Sequence, residues 1–217
     1  MIFSKSMTFD REDLGQAVTA APLASVCSTV DSEFIEKLRA RDAVAFDTLV
    51  TQYSPDVYSL LCRLTSDQDE AADLTQETFL SALRSIKNFR GESGLRTWLF
   101  RIAINESRNR FRWWKRRRRD QLISLDATIG DSETRVWETI SDRSISPEDE
   151  VLQHERSAAL HEALNSLKPV YKEAIVLCDV EGLSYEECAN ALDTNLGTVK
   201  SRISRGREEL RRRLKGF

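Results

Sequence analysis

The stretch RFRWWKRRRRD, residues 110–120, sets Arg110, Arg112, Lys115, Arg116, Arg117, Arg118 and Arg119 around Phe111, Trp113 and Trp114. Cations interleaved with flat rings hold phosphates and offer surfaces on which unpaired bases stack. The helix expected to lead into this run, from about Leu95, puts Thr97, Arg101, Asn105, Arg108 and Arg112 in one narrow sector at the helical angle of about 100° per residue. Trp98, Leu99, Phe100, Ile102, Ala103, Ile104 and Phe111 take most of the remainder. A solvated face mixes acids with bases to limit self-repulsion, whereas this stripe holds arginines and no acid, which suits a polyanion. Arginine and asparagine contact both phosphates and base edges; Lys115 to Arg119 reads as a phosphate clamp without sequence preference. The plainer reading is an amphipathic helix whose basic last turn complements its own dipole. Trp98 and Phe100 belong to a core. Trp113 and Trp114 suit either the edge of that core or stacking on bases.

A second cationic element closes the chain. EGLSYEECANALDTNLGTVKSRISRGREELRRRL, residues 181–214, reads as two helices meeting at a tight turn. Ser184-x-x-Glu187 makes a capping box, and Asn195 is a good N-cap for the final helix. Val199, Ile203, Gly206, Leu210 and Leu214 form one apolar stripe, with Gly206 permitting close helix approach. Opposite stand Ser201, Arg205 and Arg212, flanked by Thr198, Lys200 and Ser204. That is the layout of a helix-turn-helix whose second helix enters a major groove; the alternative is a structural hairpin with a basic outer face.

A third segment, DQDEAADLTQETFLSALRSI, spaces Asp69, Asp73 and Glu77 at i, i+4, i+8. Such a row would hold a divalent metal in a nuclease-like enzyme, but no histidine or second acidic cluster completes a site, and acids in a first turn follow from the helix dipole. Asp73, Gln76, Glu77, Leu80 and Arg84 line up away from a core set of Leu74, Thr78, Ala82, Leu83 and Ile86. A leucine within a polar patch reads as a protein-docking face, against a simple solvated face. His154, His161, Cys178 and Cys188 are imaginable as a metal or redox site, though small core thiols are the simpler reading. Lys200-Ser201 lacks a glycine-rich phosphate loop. No catalytic constellation is visible, so neither an enzyme nor a cofactor is expected.

The elements that must position these residues are helical nearly throughout. Phe34, Ile35, Leu38, Ala45, Phe46, Leu49 and Val50 recur at three- and four-residue spacing; Ser54-Pro55 predicts a break, with Val57, Leu60, Leu61 and Leu64 continuing in a new helix. Ser66 or Asp67 is the expected N-cap of a helix running to about Ile86, and NFRGESG, residues 88–94, is a loop before the Leu95 helix. A second helical set begins near Val151, with breaks near Lys168-Pro169, Glu181-Gly182 and Thr194-Asn195. An all-α chain follows: two small helical domains joined by an acidic flexible linker, the second containing the helix-turn-helix.

The net charge of -3 over 217 residues conceals strong local asymmetry. Residues 95–119 hold ten Lys or Arg against one acid, residues 120–155 ten acids against two arginines, and residues 196–217 eight bases against two acids. Two cationic modules separated by an anionic linker are the result. Four scattered cysteines without a C-x-x-C pair, and no recognisable secretory leader, suggest a reduced, cytoplasmic protein. No apolar run reaches the roughly eighteen residues a membrane span needs, so no direct membrane insertion is expected.

Taken together, DLTQETFLSALRSIKNFRGESGLRTWLFRIAINESRNRF resembles region 2, and ALNSLKPVYKEAIVLCDVEGLSYEECANALDTNLGTVKSRISRGREELRRRL resembles region 4, of the extracytoplasmic-function (group 4) sigma factors of bacterial RNA polymerase. The resemblance implies region 2 over residues 31–119, a linker over 120–155 and region 4 over 156–217; residues 1–30 stay unassigned. It implies as partners core RNA polymerase, through the β′ clamp and β flap, promoter DNA, and an anti-sigma factor. The face of Asp73, Gln76, Glu77, Leu80 and Arg84 would dock on the coiled coil of the β′ clamp. The loop would close on an extruded base with Asn88, Arg90 and Glu92, while Arg101, Asn105, Arg108 and Arg112 hold the strand of the minus-ten element. Thr198, Lys200, Ser201, Ser204 and Arg205 would read the minus-thirty-five element. Cys188 stands where the family usually has an aliphatic residue, and Asn195 where it often has proline or serine. A polymerase-independent helix-turn-helix regulator is the alternative function.

Overall fold

The computed structural model describes the backbone of residues 29–91, 93–121 and 147–215, and side chains within 33–91, 93–117 and 156–215. Eight α-helices are present among the described residues, without a strand: α1 (Thr29–Arg39), α2 (Ala43–Thr65), α3 (Gln68–Ser85), α4 (Leu95–Gln121), α5 (Pro147–Asn165), α6 (Pro169–Ile175), α7 (Tyr185–Leu192) and α8 (Leu196–Arg213). A 3₁₀ turn, Ile86–Asn88, follows α3, and a π turn, Val176–Val180, follows α6. Helices α1 to α4 make a first module in which α2, α3 and α4 pack on one another; α6 to α8 make a second.

Local chemistry fixes most of the helix ends. Asp42 and Asp67 accept the backbone N–H groups of Ala45 and Glu70 at 2.8 and 2.9 Å, capping α2 and α3. Ser66 closes α2 in the left-handed conformation, so Asp67 rather than Ser66 begins α3. The expected break at Ser54-Pro55 does not occur: α2 runs through Pro55 as one helix of 23 residues. Proline deletes one backbone hydrogen bond, but Ala45 and Leu49 before it and Val57, Leu60 and Leu61 after it are buried in the same core. Each of the buried leucines and Val57 contributes roughly 1.5–3 kcal/mol by leaving water, enough to carry the helix past the missing bond.

The core set expected for α3 is largely confirmed, with Leu74, Thr78, Ala82 and Ile86 at most 2% exposed and Leu83 partly buried. In α4, Leu99, Phe100, Ala103 and Ile104 are fully buried, but two expectations are corrected. Thr97, placed in the polar stripe, is buried because the start of α4 is enclosed by α2 on one side and α7 on the other. Phe111, placed in the apolar sector, is exposed along with every described residue from 111 to 117.

The second module follows its sequence signals closely. Ser184 and Glu187 form the reciprocal capping box of α7, and Asn195 accepts the Thr198 N–H at 2.8 Å to cap α8. Asp193, in the left-handed conformation at φ 53°, makes the turn between them. Val199, Ile203 and Gly206 of α8 are buried; a Cβ built on Gly206 would lie 2.7 Å from Cγ1 of Ile175 on α6. Only glycine lets α8 approach α6 this closely.

Candidate nucleic-acid and polymerase interfaces

On α3, Asp73, Gln76, Glu77, Leu80 and Arg84 are all exposed on one side, with Leu80 at 52%. Glu77 also accepts from Arg110 of α4 at 2.8 Å. An open groove of about 960 Å³ runs beside this pair, walled by Glu106, Asn109, Arg112 and Trp113. The α3 face expected to dock and the basic end of α4 are therefore adjacent. Asp69, Asp73 and Glu77 do not meet further ligands, and no metal-holding cluster occurs among the described residues.

The loop after α3 is anchored by its aromatic residue. Phe89 is buried, packs on Trp98 with ring centroids 5.1 Å apart, and its carbonyl accepts from Arg39 at 2.6 Å. Asn88 and Arg90 on either side are exposed, and Gly91 supplies the left-handed turn at φ 73°. Glu92 lies outside the described residues. Farther along α4, Asn105 and Arg112 are exposed, with Arg112 donating to Asn109. Trp113 and Trp114 meet edge to face and are each nearly half exposed. The guanidinium of Arg117 lies 4.7 Å from the Trp113 ring centre, an attraction that orients the ring. The Glu70 carboxyl on α3 is pushed up chiefly by burial, against the pull of Arg110 and, less, of Trp114. Trp113 faces the groove.

Arg101 and Arg108 have intrachain partners that the sequence did not disclose. Arg108 forks onto Glu173 of α6 with Nε–Oε1 at 2.9 Å and Nη2–Oε2 at 2.6 Å, which holds the guanidinium even more firmly protonated. Arg101 donates to Asp193, the turn residue of the helix-turn-helix, at 3.1 Å. Nearby, Glu181 lies between Arg63 at 2.9 Å and Arg96 at 2.8 Å, while Arg96 also reaches Asp56 at 2.6 Å. Burial raises the Glu181 pKa and the two arginines oppose the shift. Lys172 completes the contact, donating to the Leu64 carbonyl at the end of α2, to Ser66 and to Asn165. Burial pulls its pKa down to about 8.

On α8, Lys200, Ser201, Ser204 and Arg205 are exposed and Thr198 is half-buried at the first turn. Arg207, by contrast, is committed to Asp179 through a forked pair at 2.6 and 3.0 Å. Cys178 and Cys188 are adjacent, and burial raises both thiols, Cys188 to about 12; at neutral pH neither presents a nucleophilic thiolate. They are packing residues, as is buried Cys62.

Among the described residues the fold is all α, with one aromatic-basic helix and a separate helix-turn-helix, both carrying arginines on polar faces. Residues 49–119 match sigma-70 region 2, and residues 157–210 match sigma-70 region 4. The RNA polymerase sigma-H factor of Pseudomonas aeruginosa is 37% identical over 83% of this chain and 91% of its own. The ECF RNA polymerase sigma-E factor of Haemophilus influenzae is 37% identical over 85% of this chain and 95% of its own. The sigma factor RpoE of Bartonella quintana, solved in complex with the anti-sigma factor NepR, superposes with a TM-score of 0.60 at 28% identity, covering 79% of this chain and 97% of that one. The chain belongs to the extracytoplasmic-function sigma factors: it is an alternative sigma factor that directs promoter-specific transcription by RNA polymerase. None of the described helices is long and apolar enough to cross a membrane.

Proposed function

We propose that this chain works in the cytoplasm as two readers and one docking face, divided as region 2 (31–119), linker (120–155) and region 4 (156–217). Asp73, Gln76, Glu77, Leu80 and Arg84 dock on the coiled coil of the β′ clamp, and region 4 rests on the β flap. Asn88, Arg90 and Glu92 take an extruded minus-ten base; Arg101, Asn105, Arg108 and Arg112 hold the unpaired strand. Thr198, Lys200, Ser201, Ser204 and Arg205 read the minus-thirty-five duplex. An anti-sigma factor restrains the protein, as NepR binds the Bartonella relative.

The observation that carries this reading is α8. Its apolar back is locked against α6 at Gly206, while Lys200, Ser201, Ser204 and Arg205 remain outward on the opposite side. That is the disposition by which a recognition helix meets base edges and flanking phosphates. Run-off transcription with core polymerase tests it. Adding the protein is expected to start transcripts from its cognate promoter, and Arg205→Ala to reduce them. Transcription that is identical with and without the protein rejects the reading.

A further inference from the structure

The closed contact between the modules does not treat the two DNA readers alike. Every second-module carboxylate that crosses the interface meets an arginine of the first module: Glu173 on Arg108, Asp193 on Arg101, and Glu181 on Arg63 and Arg96. Glu173 and Glu181 have only 9% and 7% of their side chains exposed, so these two are held within the contact and not at its rim. With its Nε–Nη2 edge forked onto Glu173, Arg108 offers that edge to a phosphate only by releasing the carboxylate. Meanwhile α8 presents Lys200, Ser201, Ser204 and Arg205 to solvent.

We propose that the free chain inhibits itself at the minus-ten reader alone: region 4 closes on α4 with Glu173 and Asp193 as surrogate phosphates on Arg108 and Arg101, Glu181 pins the contact between Arg63 and Arg96, and the minus-thirty-five helix is left open. The proposal rests on the assignment of α4 as a strand reader. Closure of this kind is reversible by nature. A part-buried ion pair gives back in desolvation much of what it gains in attraction, and an exposed pair such as Arg101–Asp193 contributes little. Docking on polymerase, or an unpaired strand competing for the same arginines, is enough to open it. The order of events follows: a free sigma factor can touch upstream duplex first, whereas strand capture waits for separation of the modules.

Small-angle scattering on the full chain, with circular dichroism to confirm helix content, tests the closure. Glu173→Arg should expand the particle by repelling Arg108, and adding Arg108→Glu should restore the compact form by exchanging the charges. Absence of expansion at low salt, or failure of the exchange to restore compactness, overturns the latch. The reader assignment is tested separately with a random-sequence 20-nucleotide single strand. If about nine chains in ten are closed, Glu173→Gln with Glu181→Gln should raise apparent affinity about tenfold, the inverse of the competent fraction. Glu162→Gln with Glu186→Gln removes the same charge from exposed positions of region 4 and should leave affinity within about twofold. A chain that opens by scattering but gains no single-strand affinity overturns α4 as the strand reader while leaving closure intact. An equal gain in the control pair shows bulk charge at work and overturns the surrogate-phosphate reading.

Discussion

Gly206→Ala adds one methyl group at the tightest point of region 4. The new Cβ would stand 2.7 Å from Cγ1 and 3.2 Å from Cδ1 of Ile175, against the roughly 3.5–4.0 Å at which carbons rest in contact. Ile175 is 2% exposed and Tyr171 Cβ closes the other side at 3.5 Å, so neither neighbour can simply swing away. Overpacking of this kind costs about 1–3 kcal/mol. Alanine returns about 1 kcal/mol through its higher helix propensity. The expected balance is a loss of up to about 2 kcal/mol in the denaturant unfolding of the full chain, accompanied by weaker binding of upstream duplex as α8 is levered off α6. In an Ile175→Ala background the same change should cost less, because the clashing atoms are gone; that coupling separates a clash from a general loss of helix. An unfolding midpoint at or above that of the unaltered protein would refute the close-approach argument.

Lys172 gives a pH dependence. Its pKa lies near 8 when buried, against an ordinary 10.5, so between these values the unfolded chain binds more protons and stability rises with pH, by about 3 kcal/mol in full. Half-buried His161, whose own pKa is lowered by burial and by Lys172, shares the site; Lys172→Met should flatten the rise between pH 8 and 10, and parallel curves would contradict the assignment. Ser184→Ala removes the hydroxyl that accepts the Glu187 N–H and should lower the unfolding free energy by about 1 kcal/mol. Arg205→Ala should relax upstream sequence selectivity by about 1–3 kcal/mol, read by binding to promoter variants, whereas Lys200→Ala or Arg211→Ala weakens all sequences evenly. Asp73→Arg with Leu80→Glu should abolish co-purification with core polymerase at unchanged helix content; retained binding would remove the α3 face from the interface.

Local signals were enough for most of the architecture. The 3.6-residue period gave Leu74, Thr78, Ala82 and Ile86 as one buried stripe, and short-range capping chemistry gave Ser184 and Asn195 and narrowed the α3 cap to Ser66 or Asp67, of which Asp67 is the cap. The glycine in the α8 stripe disclosed the helix contact because only a missing side chain fits there. Pro55 misled for the converse reason: its local preference is real, but the helix is decided by burial on both sides of it. Glu173, Glu181 and Asp193 were missed because their partners lie 65 to 118 residues away in sequence, where no periodicity operates. One trace was present. Lys172-Glu173 interrupts the apolar run from Val170 to Leu177, and a charged pair in a buried helix calls for partners on another element. Both have them: the Lys172 amine reaches the end of α2, and Glu173 reaches α4.

Region 4 is consequently polarised. Its α8 gathers the cations of residues 196–217, while Glu173, Glu181 and Asp193 come from α6, the end of the π turn and the α7–α8 turn. The same small module is thereby cationic on one side and meets arginines of the first module with carboxylates on the other. This explains why the charge pattern cannot be read from the total of -3. Cancellation here is spatial: acids of one reader are set against bases of the other. Removing those acids would not merely make the protein more basic; it would take Glu173 from Arg108, Asp193 from Arg101 and Glu181 from Arg63 and Arg96. If α4 holds the unpaired strand as proposed, carboxylates paired with Arg101 and Arg108 keep those arginines from stray single strands without touching the outward face of α8.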